Sequence, residues 1–365
     1  MKKKIVFGIT SLDYGGIEIS LVDLVNKLVN YYDITVLTLY SGGDLIPKIN
    51  RKVKIESIYK HKYLTSTNDQ RRKTSLKLML AGRTIYNAFL KNKYDVEIAF
   101  MEGPMTMFMS IPNEKVKKIA WVHTNISKNQ TGIKKHLKKG QNNKIYSNYD
   151  KIIFSGNIVQ ETFNKYYYVN VPQYVIPNYI DISRVIKGSK TRCPREFTGR
   201  CKKFLIVTKL EKTKGIERLL IIHKRLLIDG YDNKMYIIGD GPLYNTLNKN
   251  IEKLGVENSF ILLGKKDNPY PYIKYADGII FATNTESYGL SVLESMILGK
   301  KILSTSSSVV DRFKEYPSII LVKNDEQSIY TGLKYMINNK EKTTKINFKI
   351  DNKEIINSIN DLITN

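Results

Sequence analysis

The chain has 365 residues, more than one hydrophobic core usually serves, so we expect two domains. Its composition, 42% hydrophobic and 25% charged, is that of a globular protein, and no apolar run is long enough to span a membrane. Cys193 and Cys201 are too few for a disulfide framework, which fits a reducing compartment. The apolar run in MKKKIVFGIT is too short for a signal peptide, so we expect a cytoplasmic protein.

The formal net charge of +25 favours anionic partners, such as nucleic acid, phosphorylated small molecules or acidic lipid headgroups. A Lys-rich, solvated surface without a special role explains the charge equally well. The charge therefore selects no function by itself.

The first half of the chain alternates β-type runs with helical patterns. In chain order we predict a strand at KKKIVFGIT, a helix at GGIEISLVDLVNKLVNYY, a strand at DITVLTLY, a helix at LKLMLAGRTIYNAFLKN, strands at DVEIAFM, KKIAWVH and YDKIIFSG, and a helix at NIVQETFNKYY. Residues 1–180 form the predicted first domain. Residues 181–200 lack clean periodicity and form the predicted interdomain linker.

The second half, residues 201–365, repeats this alternation. The predicted strands are KKFLIVTKL, MYIIGDG, SFILLG, DGIIFAT and KKILSTS, and the predicted helices are GIERLLIIHKRLLIDG, PLYNTLNKNIEKLG, GLSVLESMILGK and the final KEIINSINDLI, which could pack back on the first domain. Alternating strands and helices predict α/β domains, each a doubly wound parallel sheet. We expect the two domains to face a cleft, with ligands beyond the carboxyl ends of the strands.

The stretch TNTESYGLSVLESMILGK places a carboxylate inside an apolar helix. Its first amides, at Gly289, Leu290 and Ser291, would form an anion site at the helix N-terminus. A buried Glu294 needs donors, which a basic side chain, backbone amides or the hydroxyls of a ribose could supply. A ribose whose diphosphate rests on the helix N-terminus would satisfy both features. Glu286, in the preceding loop, would then lie near the group attached to that diphosphate. A half-exposed Glu294 and a capping Glu286 are the alternative.

Two other segments of the second half follow predicted strands. VTKLEKTKG places Lys209 and Lys214 where two cations suit a diphosphate, although both are ordinary surface lysines in the simpler interpretation. YIIGDGPL, with Gly239, is not a GxGxxG fingerprint, and a plain turn is the better interpretation.

In the first half, SLDYGGIEISL puts Gly16 in a tight turn at a helix N-terminus, where it either approaches a ligand or simply turns the chain. KKIAWVHTN puts His123 at a strand end, where it either meets a substrate or is structural.

Taken together, the segments resemble the retaining glycosyltransferases of family four, which have the GT-B fold. Glu286 and Glu294 match that family's E-x7-E pattern, and VTKLEKTKG, IIGDGP, the N-terminal Gly pair, WVHTN and VIPNYID come in the family's order. The resemblance covers nearly the whole chain and is weakest at residues 40–95, 185–200 and after 305. It departs at Lys209, where Arg is common, and at TSSSVVDRF, which replaces a Gly-rich turn and an acid.

The resemblance implies transfer of a sugar from a nucleotide-sugar, most simply a UDP-sugar, with retention at the anomeric carbon. It implies that Lys209, Lys214 and the amides of Gly289, Leu290 and Ser291 bind the diphosphate. Glu294 would accept the ribose hydroxyls, and Glu286 would contact the donor sugar.

By the same resemblance, His123 would contact the donor sugar from the first, acceptor-binding domain, and Gly16 would line the cleft. Gly239 would belong to the nucleotide-sugar site. No metal or other cofactor is implied, and the sequence has no DxD-type carboxylate pair placed to hold a cation.

The acceptor implied is a saccharide or a lipid-linked glycan of surface polysaccharide biosynthesis. The basic stretch KNQTGIKKHLKKGQNNK, residues 128–144, suits the anionic inner face of the cell membrane, although a solvated basic loop explains it as well. A polyanion- or nucleic-acid-binding protein and a GT-B-type nucleotide-sugar epimerase are the alternative functions. We expect no nucleic acid, because that function leaves Glu294 unexplained.

Overall fold

A computed structural model describes residues 2–63, 65–125, 139–197, 199–284, 288–305, 307–339 and 348–365. The chain divides into two compact units, Met1–Ile180 with Asn352–Asn365, and Asp181–Asp351. Each unit is an α/β structure around one parallel sheet, as the alternating pattern predicted.

The first unit has a seven-stranded sheet of order β3-β2-β1-β4-β5-β6-β7. Its strands are β1 (Lys4–Ile9), β2 (Asp33–Tyr40), β3 (Lys54–Tyr59), β4 (Val96–Ala99), β5 (Lys117–Val122), β6 (Lys151–Phe154) and β7 (Gln173–Val175). Its helices are α1 (Gly16–Leu28), α2 (Asn68–Leu80), α3 (Gly82–Phe89), α4 (Pro104–Met109), α5 (Lys139–Ser147) and α6 (Asn157–Tyr166). The order reverses between β1 and β4, which makes their carboxyl ends the switch point where ligands bind in such sheets.

The last helix, α14 (Phe348–Thr364), returns the chain to the first unit. Its apolar side chains, including Ile355, Ile359 and Leu362, lie in the core beside β1 and α1. Lysine ammonium groups from the amino ends of three strands contact its terminal carbonyls, such as Lys3 to Ile363 at 3.3 Å. Cations at a helix C-terminus are stabilising because the unsatisfied carbonyls carry partial negative charge.

The second unit has a six-stranded sheet of order β10-β9-β8-β11-β12-β13. Its strands are β8 (Lys202–Val207), β9 (Asn233–Ile238), β10 (Phe260–Gly264), β11 (Gly278–Phe281), β12 (Ile302–Ser304) and β13 (Ile319–Leu321). Its helices are α7 (Ile182–Gly188), α8 (Ile216–Ile228), α9 (Tyr244–Leu254), α10 (Tyr270–Tyr275), α11 (Leu290–Ile297), α12 (Ser308–Arg312) and α13 (Glu326–Asn338). The switch point lies between β8 and β11.

The structure contains elements that the sequence prediction lacks, including β3, β13 and α13, and it differs from the prediction at two further helices. The single helix predicted over LKLMLAGRTIYNAFLKN is two, because α2 ends before Ala81 and α3 starts at Gly82, the weakest non-proline helix former. The predicted linker, 181–200, begins with α7 of the second unit, where the Asp181 carboxylate accepts from the amides of Ser183 and Arg184. This side-chain cap starts a helix too short to show periodicity.

Candidate active site

The switch point of the second unit brings two distant segments together. A short 3-10 helix, Lys212–Lys214, follows β8 and ends at Gly215, whose φ of 67° is left-handed. Asn284, three residues after β11, donates its backbone N–H to the Thr213 carbonyl at 2.9 Å and its side-chain amide to the Lys212 carbonyl at 3.1 Å. The backbone carrying Lys214 is therefore fixed at the end of β11.

Arg218, in the first turn of α8, holds the same region from the side. Its guanidinium donates to the Ala282 carbonyl at 2.8 Å and to the Asn324 side chain at 2.6 Å, and Asn324 donates to the Asn284 carbonyl at 3.1 Å. A cavity of about 480 Å³ lies beside these groups. Sequence reasoning missed Arg218 and Asn324, which are far apart in the chain and belong to no motif.

Helix α11 starts at the same edge of the sheet. Its N-cap, Gly289, has a φ of 95°, and a Cβ there would lie 3.1 Å from the Phe281 ring and 3.3 Å from the Ser307 hydroxyl. The left-handed conformation therefore favours glycine, and a side chain there would also crowd Phe281 and Ser307. Leu290 and Ser291 are the first two residues of α11, so their amides have no intrahelical acceptor, and the helix dipole places positive potential there.

Glu294 is buried in the second turn of α11, with 6% of its surface exposed. Its Oε1 accepts from the Tyr270 hydroxyl at 2.8 Å and from the Arg184 guanidinium at 3.2 Å. Arg184 also hydrogen-bonds the Tyr270 hydroxyl. The carboxylate of Glu294 is thus paired with a basic side chain, which is one of the three kinds of donor named in the sequence analysis. Burial of Glu294 does not by itself require a ribose.

The other predicted residues of this unit vary in placement. Lys209 is exposed just after β8, and Lys214 is half-buried at the end of the 3-10 helix. Glu286 lies outside the described residues, as does most of the basic stretch at 128–144.

Gly239 lies in a turn that packs closely against the segment following β8. With a φ of 152°, it lies so close to the Thr208 carbonyl that a Cβ would be 1.7 Å from that oxygen, and Gly241 is similarly close to Leu210. The Leu210 amide donates to the Asp240 carbonyl at 3.0 Å. The Gly-Asp-Gly turn therefore buttresses the segment that carries Lys209, and its glycines are explained without a ligand.

In the first unit, His123 follows β5 and is buried, with 1% exposed. Its ring stacks on Trp121 at 5.8 Å and lies 4.6 Å from the Phe100 ring. Burial lowers its pKa to about 3, against opposing interactions with the Phe100 backbone and the Asn178 side chain. No atom of the described residues meets hydrogen-bond geometry at either ring nitrogen. Burial therefore favours the neutral form of His123, and in the described part of the chain its two ring nitrogens have no partner at full hydrogen-bond geometry, although the Phe100 backbone and the Asn178 side chain lie near enough to oppose the pKa shift.

Glu102 is a site residue that the sequence analysis missed. It follows β4 at the switch point, and its Oε1 accepts the amides of His123 at 2.6 Å and Thr124 at 2.5 Å. Burial raises the pKa of its carboxyl, while these amide donors act in the opposite direction. Glu102 thus fixes the backbone of His123. Gly16, the first residue of α1, is exposed at the same sheet edge.

Within the ranges given above, no three His, Cys, Asp or Glu side chains cluster so that they could hold a metal ion. Nor, across those residues, is there a helix with the length and apolar character to cross a membrane.

Residues 191–351 match the family model for glycosyl transferases group 1. The matched region coincides with most of the second unit, including both segments of its switch point.

Curated relatives match over part of their length. An uncharacterised glycosyltransferase of Methanocaldococcus jannaschii is 28% identical over 36% of this chain and 33% of the relative. An N-acetylgalactosamine-N,N'-diacetylbacillosaminyl-diphospho-undecaprenol 4-alpha-N-acetylgalactosaminyltransferase of Campylobacter jejuni is 29% identical over 45% of this chain and 44% of the relative. The chain thus matches between a third and a half of each.

Among solved structures, Anabaena HepE in complex with UDP and glucose is similar over 98% of this chain and 100% of HepE, with a TM-score of 0.73 and 16% identity. At this identity the likeness concerns the fold alone. The similarity extends over both units, and the fold is the GT-B fold that the sequence resemblance implied.

Proposed function

We propose that this protein is a retaining glycosyltransferase that moves a sugar from a UDP-linked donor to a saccharide or lipid-linked acceptor in surface glycan biosynthesis. The match to the group 1 family model supports the reaction class. The name of the Campylobacter relative, with its undecaprenol diphosphate acceptor, supports the acceptor, and the UDP and glucose bound to HepE support the donor.

The observation that carries the proposal is the junction of Lys212–Gly215 with the end of β11. Asn284 fixes that lysine-bearing segment at the sheet edge where α11 begins. We place the donor diphosphate there, with Lys209, Lys214 and the first amides of α11 as its donors. Gly239 acts indirectly, by supporting the Lys209 segment.

The reaction breaks the bond between the anomeric carbon and a diphosphate oxygen, and it forms a new bond to an acceptor hydroxyl oxygen, whose proton passes to the departing diphosphate oxygen. Negative charge grows on the departing UDP, so preorganised cations and helix amides lower the barrier. We propose that this field replaces an essential metal. Glu286 contacts the donor sugar in this mechanism.

Glu294 is proposed to accept the ribose hydroxyls beside its contacts with Tyr270 and Arg184. In the first unit, the unsatisfied nitrogens of His123 offer hydrogen bonds to a sugar hydroxyl, which is what unpaired buried polar atoms at a sheet edge suggest. Gly16 would lie close to a bound acceptor. The protein would work in the cytoplasm, at the inner face of the cell membrane.

A thermal-shift panel of UDP, GDP, ADP and CMP, with and without EDTA, tests the donor and the metal together. A ligand at 100 times its dissociation constant stabilises the protein by about 2.7 kcal/mol. We expect the shift with UDP, unchanged by EDTA. A shift that EDTA abolishes contradicts metal independence, and no shift with any nucleotide contradicts the function.

Substitutions of single lysines test where UDP binds. Lys209→Gln and Lys214→Gln should weaken UDP binding, whereas Lys249→Gln, an exposed lysine on α9 with the same charge change, should not. Equal losses in all three would mean that UDP follows the overall charge of the protein and not a built site.

A further inference from the structure

Helix α2 exposes three large apolar side chains on one face. Leu76, Met79 and Leu80 are 49%, 56% and 78% exposed, respectively. Their i, i+3, i+4 spacing puts them on one face. The same helix is already anchored to the unit by Thr74 and Leu78, which are buried on the opposite side.

Basic side chains surround this apolar patch. The helix sequence NDQRRKTSLKLML contains four basic residues and one acidic residue. Arg72, Lys73 and Lys77 are exposed, and Asp69 engages Lys73 in an exposed ion pair at 2.7 Å. Arg83, in the first turn of α3, adds another exposed cation. The exposed face is therefore an apolar centre with a cationic rim.

We propose that this face, Leu76, Met79 and Leu80 with Arg72, Lys77 and Arg83, docks the protein onto an anionic bilayer surface. The cations would lie among the headgroups, and the three apolar side chains would enter the boundary with the acyl chains. The proposal deepens the acceptor side of the proposed function by placing the enzyme at a lipid surface. Its test needs no catalysis, so the two can fail separately.

Two other occupants fit the same face less well. Nucleic acid would engage the cations but would give the exposed Leu and Met side chains nothing to bury against. A second copy of this chain would bury the apolar centre, but a two-fold contact presents the same patch twice and so brings the two cationic rims together. An anionic bilayer satisfies the charge and the apolar surface at once.

Vesicle sedimentation with the full chain tests this docking. The vesicles are phosphatidylcholine with and without phosphatidylglycerol, at low and high salt. We expect salt-sensitive binding to the anionic vesicles only. Arg72→Gln with Lys77→Gln should weaken it about fivefold for each cation removed. Met79→Ser with Leu80→Ser should weaken it about tenfold or more, because the apolar contact is lost.

Matched controls lie in the second unit. Lys249→Gln with Lys253→Gln removes the same charge from the exposed face of α9, and Ile228→Ser with Leu321→Ser removes apolar side chains that are 72% and 46% exposed. Both control pairs should bind like the wild type. All four pairs should melt near the wild type, because each side chain changed is exposed.

A fluorescent reporter gives an independent readout. The chain has one tryptophan, Trp121, which is buried, so Leu80→Trp adds a single exposed indole. Its emission should shift to the blue with anionic vesicles, and that of Ile228→Trp should not.

Three results would overturn the proposal. One is vesicle binding that the α2 pairs leave unchanged. Another is binding lost with the glutamine pair but kept with the serine pair, which means attraction by charge without apolar contact. The third is a dimer that the serine pair dissociates, which assigns the face to a second copy of the chain.

Discussion

The backbone N–H of Asn284 donates to the Thr213 carbonyl at 2.9 Å and joins segments that are far apart in the sequence. Thr213 lies between two lysines after β8, and Asn284 lies just beyond β11. This hydrogen bond, with that of the Asn284 side chain, determines where Lys214 is held. Gly215 directly follows Lys214 and ends this 3-10 helix, so the proposed diphosphate site depends on the backbone conformation of Gly215.

Gly215→Ala should disturb this junction. A left-handed φ costs a non-glycine residue about 1–2 kcal/mol, and the new Cβ would lie 2.7 Å from the Ala282 carbonyl oxygen. We expect a loss of about 2–4 kcal/mol in the free energy of unfolding, together with weaker UDP binding. Urea denaturation and a UDP titration measure the two.

Gly230→Ala is the matched control. Gly230 has a φ of 82° but no atom within 4 Å of the added Cβ, so it should show the conformational cost alone and bind UDP normally. Equal losses of stability in the two variants would mean that the close contact between the new Cβ and the Ala282 carbonyl oxygen causes no additional destabilisation.

Replacing Glu294 separates stability from ribose binding. Glu294→Ala should lower the free energy of unfolding by about 2–3 kcal/mol, because Arg184 loses its carboxylate but is 24% exposed and so partly solvated. Glu294→Gln should cost less, since an amide oxygen still accepts from Tyr270.

The ligand comparison uses UDP against its 2'-deoxyribose analogue. If Glu294 accepts ribose hydroxyls, the wild type should bind the analogue about tenfold or more weakly, and Glu294→Gln should reduce that difference. An unchanged preference in the variant would make Glu294 a structural partner of Arg184.

Glu102 should position His123 through the backbone. Glu102→Ala removes the acceptor of two amides and should cost about 2–4 kcal/mol of unfolding free energy. Glu102→Gln keeps an acceptor oxygen and should retain most of that stability and most of kcat. A kcat equally low in both variants, with stability kept in Gln, would instead show that the charge of Glu102 acts on the reaction.

His123 should make stability depend on pH in a defined direction. Its folded pKa, about 3, is below the ordinary value of about 6.5, so the unfolded state binds a proton first as the pH falls. Its contribution is complete above about pH 6.5 and declines toward pH 3, by about 1.4 kcal/mol for each pH unit. His123→Phe should remove this slope, as urea denaturation at pH 7 and pH 5 would show.

We also expect that His123 does not change its protonation state between pH 5 and 9, where activity is measured. A pH–rate profile between pH 5 and 9 should contain no ionisation that disappears in a His123 variant. His223, whose pKa burial lowers to about 4, contributes to stability in the same direction and is unaffected by the substitution.

Local pattern was enough for much of the fold. Apolar periodicity located most strands and helices, and α11 begins after Gly289 because the turn there needs a left-handed residue. Several elements were missed, including the 13-residue helix α13 as well as short or edge elements. The strand β3 is half-exposed along its length, and α7 is only seven residues long, so neither shows a strong period.

The sequence by itself determined the two α/β units and the positions of their strand-end segments, because secondary structure follows from hydrophobic period and turn chemistry within a few residues. Only the tertiary structure decided the partners: Arg184 and Tyr270 for Glu294, Thr208 for Gly239, and Glu102 for the His123 amide. These contacts join residues that are distant in sequence, and no local preference encodes which buried donor meets which acceptor. That pairing depends on how the helices and strands pack in the folded unit.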